Sequence, residues 1–263
     1  MKELHVQLVI LDDEDLLRHH TPTTTKGVCE ETPPRPVRGR VRTNIPKIAL
    51  AEITDLPASI EISAKLPLVV VDVDEVLALF FQGFGRFVGA HGYELRSGRF
   101  ALFSNLYVPG GPEPLEIEVG NRLFDKVFRS GADLIDPSPG APQALEALAR
   151  DASVVILTNA PAHGRGERSR WLKRHGMDYP MIINEGPKGP AIATLAAKTR
   201  GPVVFVDDII SHLDSCAEEA PAVRRFQTVA DERLRPLAPR SPRHERVDDW
   251  ANLHPAIAAA IAG

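Results

Sequence analysis

The sequence predicts an α/β protein in which helices cover both faces of a doubly wound parallel sheet. Three observations support this fold class. Short apolar runs recur as LVVVD (68–72), SVVILTN (153–159), PMIIN (180–184) and PVVFVDD (202–208). Such continuous runs are typical of strands buried on both faces. The segments between the runs are amphipathic, and polar or charged residues follow each run directly. With 263 residues, the chain has room for one such domain and an insertion.

The segments around the apolar runs predict the covering helices. APQALEALAR (141–150) precedes the second run, and RGERSRWLKRHG (165–176) follows it. PAIATLAAKTRG (190–201) has proline near its start and glycine at its end, the usual asymmetry of a helix. RRFQTVA (224–230) is a candidate for one more strand, and VDDWANLHPAIAAAIAG (247–263) predicts a closing helix.

The first part of the chain, residues 1–64, has a different character. Its segment 21–47, TPTTTKGVCEETPPRPVRGRVRTNIPK, is rich in Thr and Pro and carries six Lys or Arg against two Glu. It has neither helical nor strand periodicity, which predicts a partly disordered arm or linker. The preceding LHVQLVIL (4–11) is a candidate short strand.

An insertion is predicted after the first strand, because about eighty residues separate Asp74 from Ser153, whereas one crossover needs only a dozen or more. We assign 80–136 to an inserted cap, and 65–79 with 137–263 to the core. FFQGFGRFVGAHG (80–92) and LEIEVGNRLFDKVF (115–128) predict helices, and GYELRSGRFALFSNLYV (92–108) is more strand-like. The phenylalanines at helical spacing are predicted to form the core of the cap junction: Phe80, Phe81, Phe84 and Phe87.

The polar residues after the apolar runs are the candidate site, because ligands of open parallel sheets bind beyond the carboxyl ends of the strands. Carboxylates from two strands make a hard-oxygen site that suits Mg²⁺, and a Lys and a Thr beside the metal can hold phosphate oxygens. One carboxylate can attack phosphorus, and a second can act as acid and base. The candidates are Asp72, Asp74, Thr158, Asn159, Lys188, Asp207 and Asp208.

The motifs DVDEV, ILTN, the isolated Lys188 and VFVDD, in this order, resemble the four motifs of the haloacid dehalogenase superfamily of phosphohydrolases. The resemblance covers roughly residues 66–230 and implies a Rossmannoid core with a cap between the first and second motifs. It implies that Asp72 is the nucleophile and a Mg²⁺ ligand, and that Asp74 is the general acid/base and binds the metal through its backbone carbonyl.

The resemblance further implies roles for the remaining motif residues. Thr158 and Lys188, with Asn159 beside them, would bind the phosphoryl group, and Asp207 would coordinate the metal with the help of Asp208. The expected activity is Mg²⁺-dependent hydrolysis of a small soluble phosphomonoester through an aspartyl phosphate. The sequence departs from the family at Glu75, where Gly is frequent.

Alternatives remain open at this point. The chain could be a non-catalytic module of this fold that docks through the arm at 21–47, or a related hydrolase of a different bond. A two-component receiver domain is disfavoured, because the second acid pair follows Lys188 here. Arg165, Arg168 and Arg170 are expected to form a solvated helix face. His212 is assigned no chemical role. Specificity would come from the cap, with Glu118, Arg122 and Lys126 as candidates.

The composition restricts the cellular compartment and the classes of partner that we expect for this protein. A formal net charge of −4 argues against nucleic acid as the main partner. No apolar run approaches the ~20 residues that span a bilayer, and the start of the chain is too acidic for a secretory signal. Two cysteines, Cys29 and Cys216, imply no disulfide framework, so we expect a cytoplasmic protein. The sequence indicates neither the individual substrate nor the oligomeric state.

Overall fold

The structure is a computed structural model that describes residues 60–263. The candidate strand at 4–11 and the segment 21–47 lie outside these residues. The strands, in chain order, are β1 (Leu68–Val71), β2 (Glu94–Leu95), β3 (Leu106–Tyr107), β4 (Ser153–Thr158), β5 (Met181–Ile183), β6 (Val203–Asp207), β7 (Arg224–Gln227) and β8 (Glu245–Arg246). The helices are α1 (Phe80–Ala90), α2 (Ile117–Ser130), α3 (Ala141–Leu148), α4 (Arg165–Arg174), α5 (Gly189–Ala196), α6 (Ile210–Glu219) and α7 (Trp250–Ala262).

Six strands form one parallel sheet in the order β5-β4-β1-β6-β7-β8. The chain adds β4 and β5 on one side of β1, then β6, β7 and β8 on the other side. This arrangement confirms the predicted doubly wound sheet. All four apolar runs of the sequence contain a strand.

Strand β1 lies at the centre of the sheet and is buried on both faces. Val69 and Val71 belong to the larger apolar cluster, whereas Leu68 and Val70 belong to the cluster on the opposite face. The four side chains are 0% exposed, which explains why this strand has no polar residue within it. The chain just before β1, which we assigned to the arm, contacts the same core: Ile60 packs in the second cluster.

The predicted helix at 190–201 is shorter than expected. Helix α5 begins after Lys188, carries Pro190 in its first turn and ends at Ala196. The residues that follow turn back toward the segment before β1, where the Thr199 hydroxyl donates to the Leu66 carbonyl (2.6 Å). Gly201 therefore lies beyond the helix and does not cap it.

The segment 80–136 combines two helices with a short hairpin, as its mixed pattern indicated. Helices α1 and α2 contact each other, and β2 pairs with β3 in antiparallel orientation. The Phe80 ring stacks on Phe84 at 5.8 Å between centroids and meets the edge of Phe124 at 5.9 Å. The four phenylalanines of α1 are at most 4% exposed, which confirms that they belong to the core.

Strand β8 was not predicted, because charged side chains rather than apolar periodicity hold the segment around it. Arg246 binds the Asp248 carboxylate (2.8 Å) and donates to the Arg235 carbonyl (2.7 Å). Arg235 in turn donates to the carbonyls of Val229 (2.9 Å) and Asp248 (2.8 Å). Across residues 60–263, none of the helices has the length and apolar character needed to cross a membrane.

We predict that Gly189→Ala destabilises the protein by about 1–3 kcal/mol, because helices α5 and α6 approach too closely for a side chain at this position. A Cβ at Gly189 would fall on the backbone carbonyl of Ser215. Urea unfolding measures the loss. Gly89→Ala is the matched control, because that glycine lies in α1 and an added Cβ would have no atom from outside its own stretch of helix within 4 Å. The control should be neutral or stabilised by up to ~1 kcal/mol. Equal stability of the two variants would contradict the prediction.

Candidate active site

Lys188 joins the ends of two neighbouring strands through a buried ion triad. Its Nζ lies 2.6 Å from Asp72 Oδ1 and 2.7 Å from Asp207 Oδ2. Asp72 follows β1, Asp207 ends β6, and Lys188 precedes α5. Because β1 and β6 pair in parallel, their carboxyl ends meet at one edge of the sheet. The expected convergence of these side chains is present, and the Lys188 residue is 1% exposed.

A third carboxylate completes a possible cation site beside this triad. Asp72, Asp207 and Asp208 each place a carboxylate oxygen within 4.8 Å of the others. Asp208 Oδ1 is buried and has no hydrogen-bond partner among the described residues. Hard oxygen donors of this kind are the ligands that Mg²⁺ prefers. The residues present therefore fit a divalent cation.

The acids of this cluster differ in their proton affinity. Burial raises the pKa of Asp72 to about 6, although the Lys188 ammonium opposes this shift. Burial, with repulsion from the Asp207 carboxylate, also holds the pKa of Asp208 well above its usual value. Burial alone would raise the pKa of Asp207, but Lys188 and His212 outweigh it and lower that pKa to about 2.

Lys188 keeps its charge within the cluster. Burial would lower the pKa of its ammonium, but the carboxylates of Asp207 and Asp72 outweigh burial and raise it above the ordinary value. Three carboxyl groups therefore lie around one ammonium, and a divalent cation bound there would offset the repulsion among them.

His212 is a site residue that the sequence analysis assigned no role. Its Nδ1 lies 3.2 Å from Asp207 Oδ1, and its Nε2 lies 3.4 Å from the Asn159 amide nitrogen. Asp207 Oδ1 also accepts a hydrogen bond from the Ile209 backbone N–H (2.9 Å). The signal in the sequence was its spacing: five residues after Asp207 places His212 in the first turn of α6, beside the strand end.

Asn159 and Thr158 occupy different surroundings at the end of β4. The Asn159 amide donates to the Gly186 carbonyl (2.9 Å), and its Oδ1 accepts from Asn184 (2.8 Å). Asn159 lines the cavity described below, whereas Thr158 is not among the residues that line it. Thr158 is 0% exposed, and its hydroxyl has no hydrogen-bond partner within residues 60–263.

Arg168 corrects the expectation of a solvated helix face on α4. It is 4% exposed, and its Nη2 lies 2.7 Å from Asp74 Oδ1 and 2.8 Å from Asp74 Oδ2. Its guanidinium carbon lies 4.8 Å from the centre of the Phe128 ring of α2. Arg168 precedes the buried Trp171 by three residues and therefore shares the inward face of α4. Arg170 is exposed as expected, and it pairs with Glu167.

Glu75 adopts a backbone conformation that favours glycine, with φ = 56°. Both oxygens of its side chain nevertheless accept hydrogen bonds from the backbone. Oε1 accepts from the Phe81 backbone N–H (2.7 Å), and Oε2 accepts from the Asp231 backbone N–H (3.0 Å). Burial raises the pKa of Glu75 to about 8. Glu75 thus connects the turn after β1 to the start of α1 and to the segment after β7.

A cavity opens over the strand ends between the sheet and the segment 80–136, with about 680 Å³ of empty space, part of it open to solvent. The predicted site residues Asp72, Asp74, Asn159, Lys188 and Asp208 line it. Its apolar wall consists of Phe80, Phe81, Phe100, Leu102 and Leu234, together with Ala101 and Ile209. The candidate specificity residues Glu118, Arg122 and Lys126 are exposed and do not line this cavity.

No protein-family model and no curated protein matches the chain. Among solved structures, a haloacid dehalogenase-like protein of unknown function from Agrobacterium tumefaciens is 18% identical, with a TM-score of 0.49, over 74% of this chain and 99% of its own. A haloacid dehalogenase-like family hydrolase from Xanthomonas campestris is 15% identical, with a TM-score of 0.47, over 76% of this chain and 98% of its own.

A third matching structure is a HAD-superfamily hydrolase, subfamily IA, variant 1, from Geobacter sulfurreducens PCA. It is 17% identical, with a TM-score of 0.49, over 73% of this chain and 96% of its own. The three structures carry the name of the superfamily that the four sequence motifs resemble. At these identities and TM-scores, the similarity assigns neither an activity nor a substrate to this chain.

We predict that Arg168→Ala lowers the free energy of unfolding by about 3 kcal/mol, because it leaves the mostly buried Asp74 carboxylate without its partner. Arg170→Ala is the matched control on the same helix, and its exposed ion pair should contribute little. Urea unfolding of both variants against the wild type gives the two values. Similar small losses for both variants would show that Arg168 is not a buried ion-pair partner.

Proposed function

We propose that this protein is a Mg²⁺-dependent phosphomonoester hydrolase that acts through an aspartyl phosphate on a small soluble substrate. The observation that carries the proposal is the buried triad of Lys188 with Asp72 and Asp207, next to the unpartnered oxygen of Asp208. An ammonium among three carboxylates at the open end of a parallel sheet suits a phosphoryl group bound together with a divalent cation.

In the first step of the proposed reaction, a carboxylate oxygen of Asp72 attacks phosphorus. The bond between phosphorus and the leaving oxygen breaks, and Asp74 donates a proton to that oxygen. In the second step, water attacks the aspartyl phosphate, the bond between phosphorus and Asp72 breaks, and inorganic phosphate forms. Asp74 takes the proton from this water and returns to its starting state.

The other side chains bind and neutralise the transferring group. Lys188 offsets the negative charge that would otherwise repel a phosphate from Asp72. Asn159, whose amide is fixed by Gly186 and Asn184, lies beside the same cavity and can bind a phosphate oxygen. The Thr158 hydroxyl is the further candidate for this contact, because it has no other hydrogen-bond partner among the described residues.

Asp72, Asp207 and Asp208 would hold Mg²⁺ through their carboxylates, and Asp74 would do so through its backbone carbonyl. When bound, the ion would neutralise charge on the phosphoryl oxygens. Asp74 takes no part in this carboxylate group, since its side chain binds Arg168. Arg168 instead fixes the direction of the Asp74 carboxyl group at the wall of the cavity.

We predict that Asp72→Asn lowers the rate of 4-nitrophenyl phosphate hydrolysis on the order of 10³-fold or more, because the amide is not a nucleophile. Chelation of divalent ions should abolish wild-type turnover, and added Mg²⁺ should restore it. Asp178→Asn is the matched control, since Asp178 is an exposed acid away from the cluster. Unchanged hydrolysis in Asp72→Asn would remove Asp72 as the nucleophile. Absence of Mg²⁺-dependent hydrolysis by the wild type would contradict the proposal itself, and is the result that a docking module or a hydrolase of another bond would give.

We predict that the effect of Asp74→Asn depends on the leaving group. A general acid contributes roughly 10²–10⁴-fold, and a good leaving group needs that proton least. The loss of kcat/KM should therefore be larger with phenyl phosphate than with 4-nitrophenyl phosphate. Equal losses with both esters would count against the acid role, provided that thermal unfolding shows the variant to be folded.

A further inference from the structure

We propose, resting on the function above, that the substrate carries an uncharged apolar leaving group, an aryl or alkyl group. Sugar phosphates and phosphorylated carboxylic acids should be poor substrates. The inference comes from the apolar side chains that line the same cavity as Asp72 and Lys188.

The cavity has a charged end and an apolar wall. Asp72, Lys188 and Asp208 lie at the charged end, where the phosphoryl group would bind. The apolar part of the wall is formed by Phe80, Phe81, Phe100, Leu102 and Leu234, together with Ala101 and Ile209. An ester bound with its phosphorus at Asp72 would place its leaving group against this wall. Asp74 would then lie between the phosphoryl group and the leaving group.

The charges around the cavity disfavour a second anionic group on the substrate. Among the described residues that line it, Lys188 and His212 are the basic side chains. Lys188 bridges two carboxylates, and His212 lies against Asp207. The remaining ionisable groups of the wall, Asp74 and Glu75, are acids, and Asp74 already holds Arg168. A carboxylate on the leaving group would have no cation to meet.

Beside the apolar wall, the acidic side chains already have partners. Both Glu75 oxygens accept from backbone N–H groups, and the Asp74 carboxylate is paired with Arg168. The hydroxyls of a sugar would therefore lie against aromatic and aliphatic carbon, which disfavours their burial. An aromatic ring would instead pack against Phe80, Phe81 or Phe100.

The inserted segment forms part of the apolar wall. Phe100, Ala101 and Leu102 of the inserted segment contribute one side of the cavity. That segment therefore acts on selectivity through apolar contact.

The test compares three esters: phenyl and 3-carboxyphenyl phosphate have aryl leaving groups of similar size that differ in charge, and glucose 6-phosphate has a neutral leaving group rich in hydroxyls. With Mg²⁺, kcat/KM for phenyl phosphate should exceed that for 3-carboxyphenyl phosphate and for glucose 6-phosphate at least tenfold. Phe100→Arg should reduce the ratio of phenyl to 3-carboxyphenyl phosphate, because it supplies a cation at the apolar wall. Ala101→Lys serves as a second variant should Phe100→Arg fail to fold. Val108→Arg is the control, because Val108 is 54% exposed and does not line the cavity.

Hydrolysis that is equal for all three esters and depends on Asp72 would overturn this inference while leaving the proposed function intact. Calorimetric binding of benzylphosphonate and phosphonoacetate in Mg²⁺ gives a readout that needs no turnover. Benzylphosphonate binding that is tighter than phosphonoacetate binding by tenfold or more supports the apolar wall, even if no ester is hydrolysed. The absence of hydrolysis would overturn the proposed function instead. Equal or weaker binding of benzylphosphonate overturns the inference.

Discussion

The buried ion triad of Lys188, Asp72 and Asp207 is the constraint on which the rest of the site depends. Two carboxylates at the ends of neighbouring strands repel each other, and in a buried position they require a shared cation. Lys188 reaches them because α5 begins directly after it and lies close against α6. Gly189 permits that approach, since a side chain there would meet the Ser215 backbone. The position of one charge is thus set by the packing of two helices.

Two ionisable side chains connect this site to the inserted segment. Glu75 binds the N–H of Phe81 in α1, and Arg168 binds Asp74 while its guanidinium lies over the Phe128 ring of α2. Asp74 therefore lies where the sheet, helix α4 and the inserted segment meet. In the proposed reaction, this is the boundary between the transferring phosphoryl group and the leaving group. A proton donor there is held by the core and faces the space that the insertion encloses.

The sequence was sufficient to predict the central strands and the convergence of the strand-end side chains, because apolar runs and chain order determine both in a parallel sheet. The sequence was insufficient where a residue departs from the backbone conformation or the solvent exposure that is usual for its type. Glu75 has φ = 56°, and nothing in its local sequence indicates that two distant backbone N–H groups compensate. Arg168 was assigned to solvent by its charged neighbours, although its spacing to Trp171 placed it on the buried face. Strand β8 depends on arginine contacts with carbonyls that have no periodicity to detect.

The two acids that share Lys188 are not equivalent, and the difference bears on which one can attack. Both oxygens of Asp207 are engaged: Oδ1 by the Ile209 N–H and His212, and Oδ2 by Lys188. Asp72 has one side-chain partner within the described part of the chain, Lys188 at Oδ1. In the proposed reaction, a carboxylate with an oxygen free of hydrogen bonds is the better nucleophile, and a carboxylate whose two oxygens are both held in place is the better fixed metal ligand. The hydrogen-bond partners of the two side chains thus support the roles proposed for them, Asp72 as the nucleophile and Asp207 as a metal ligand.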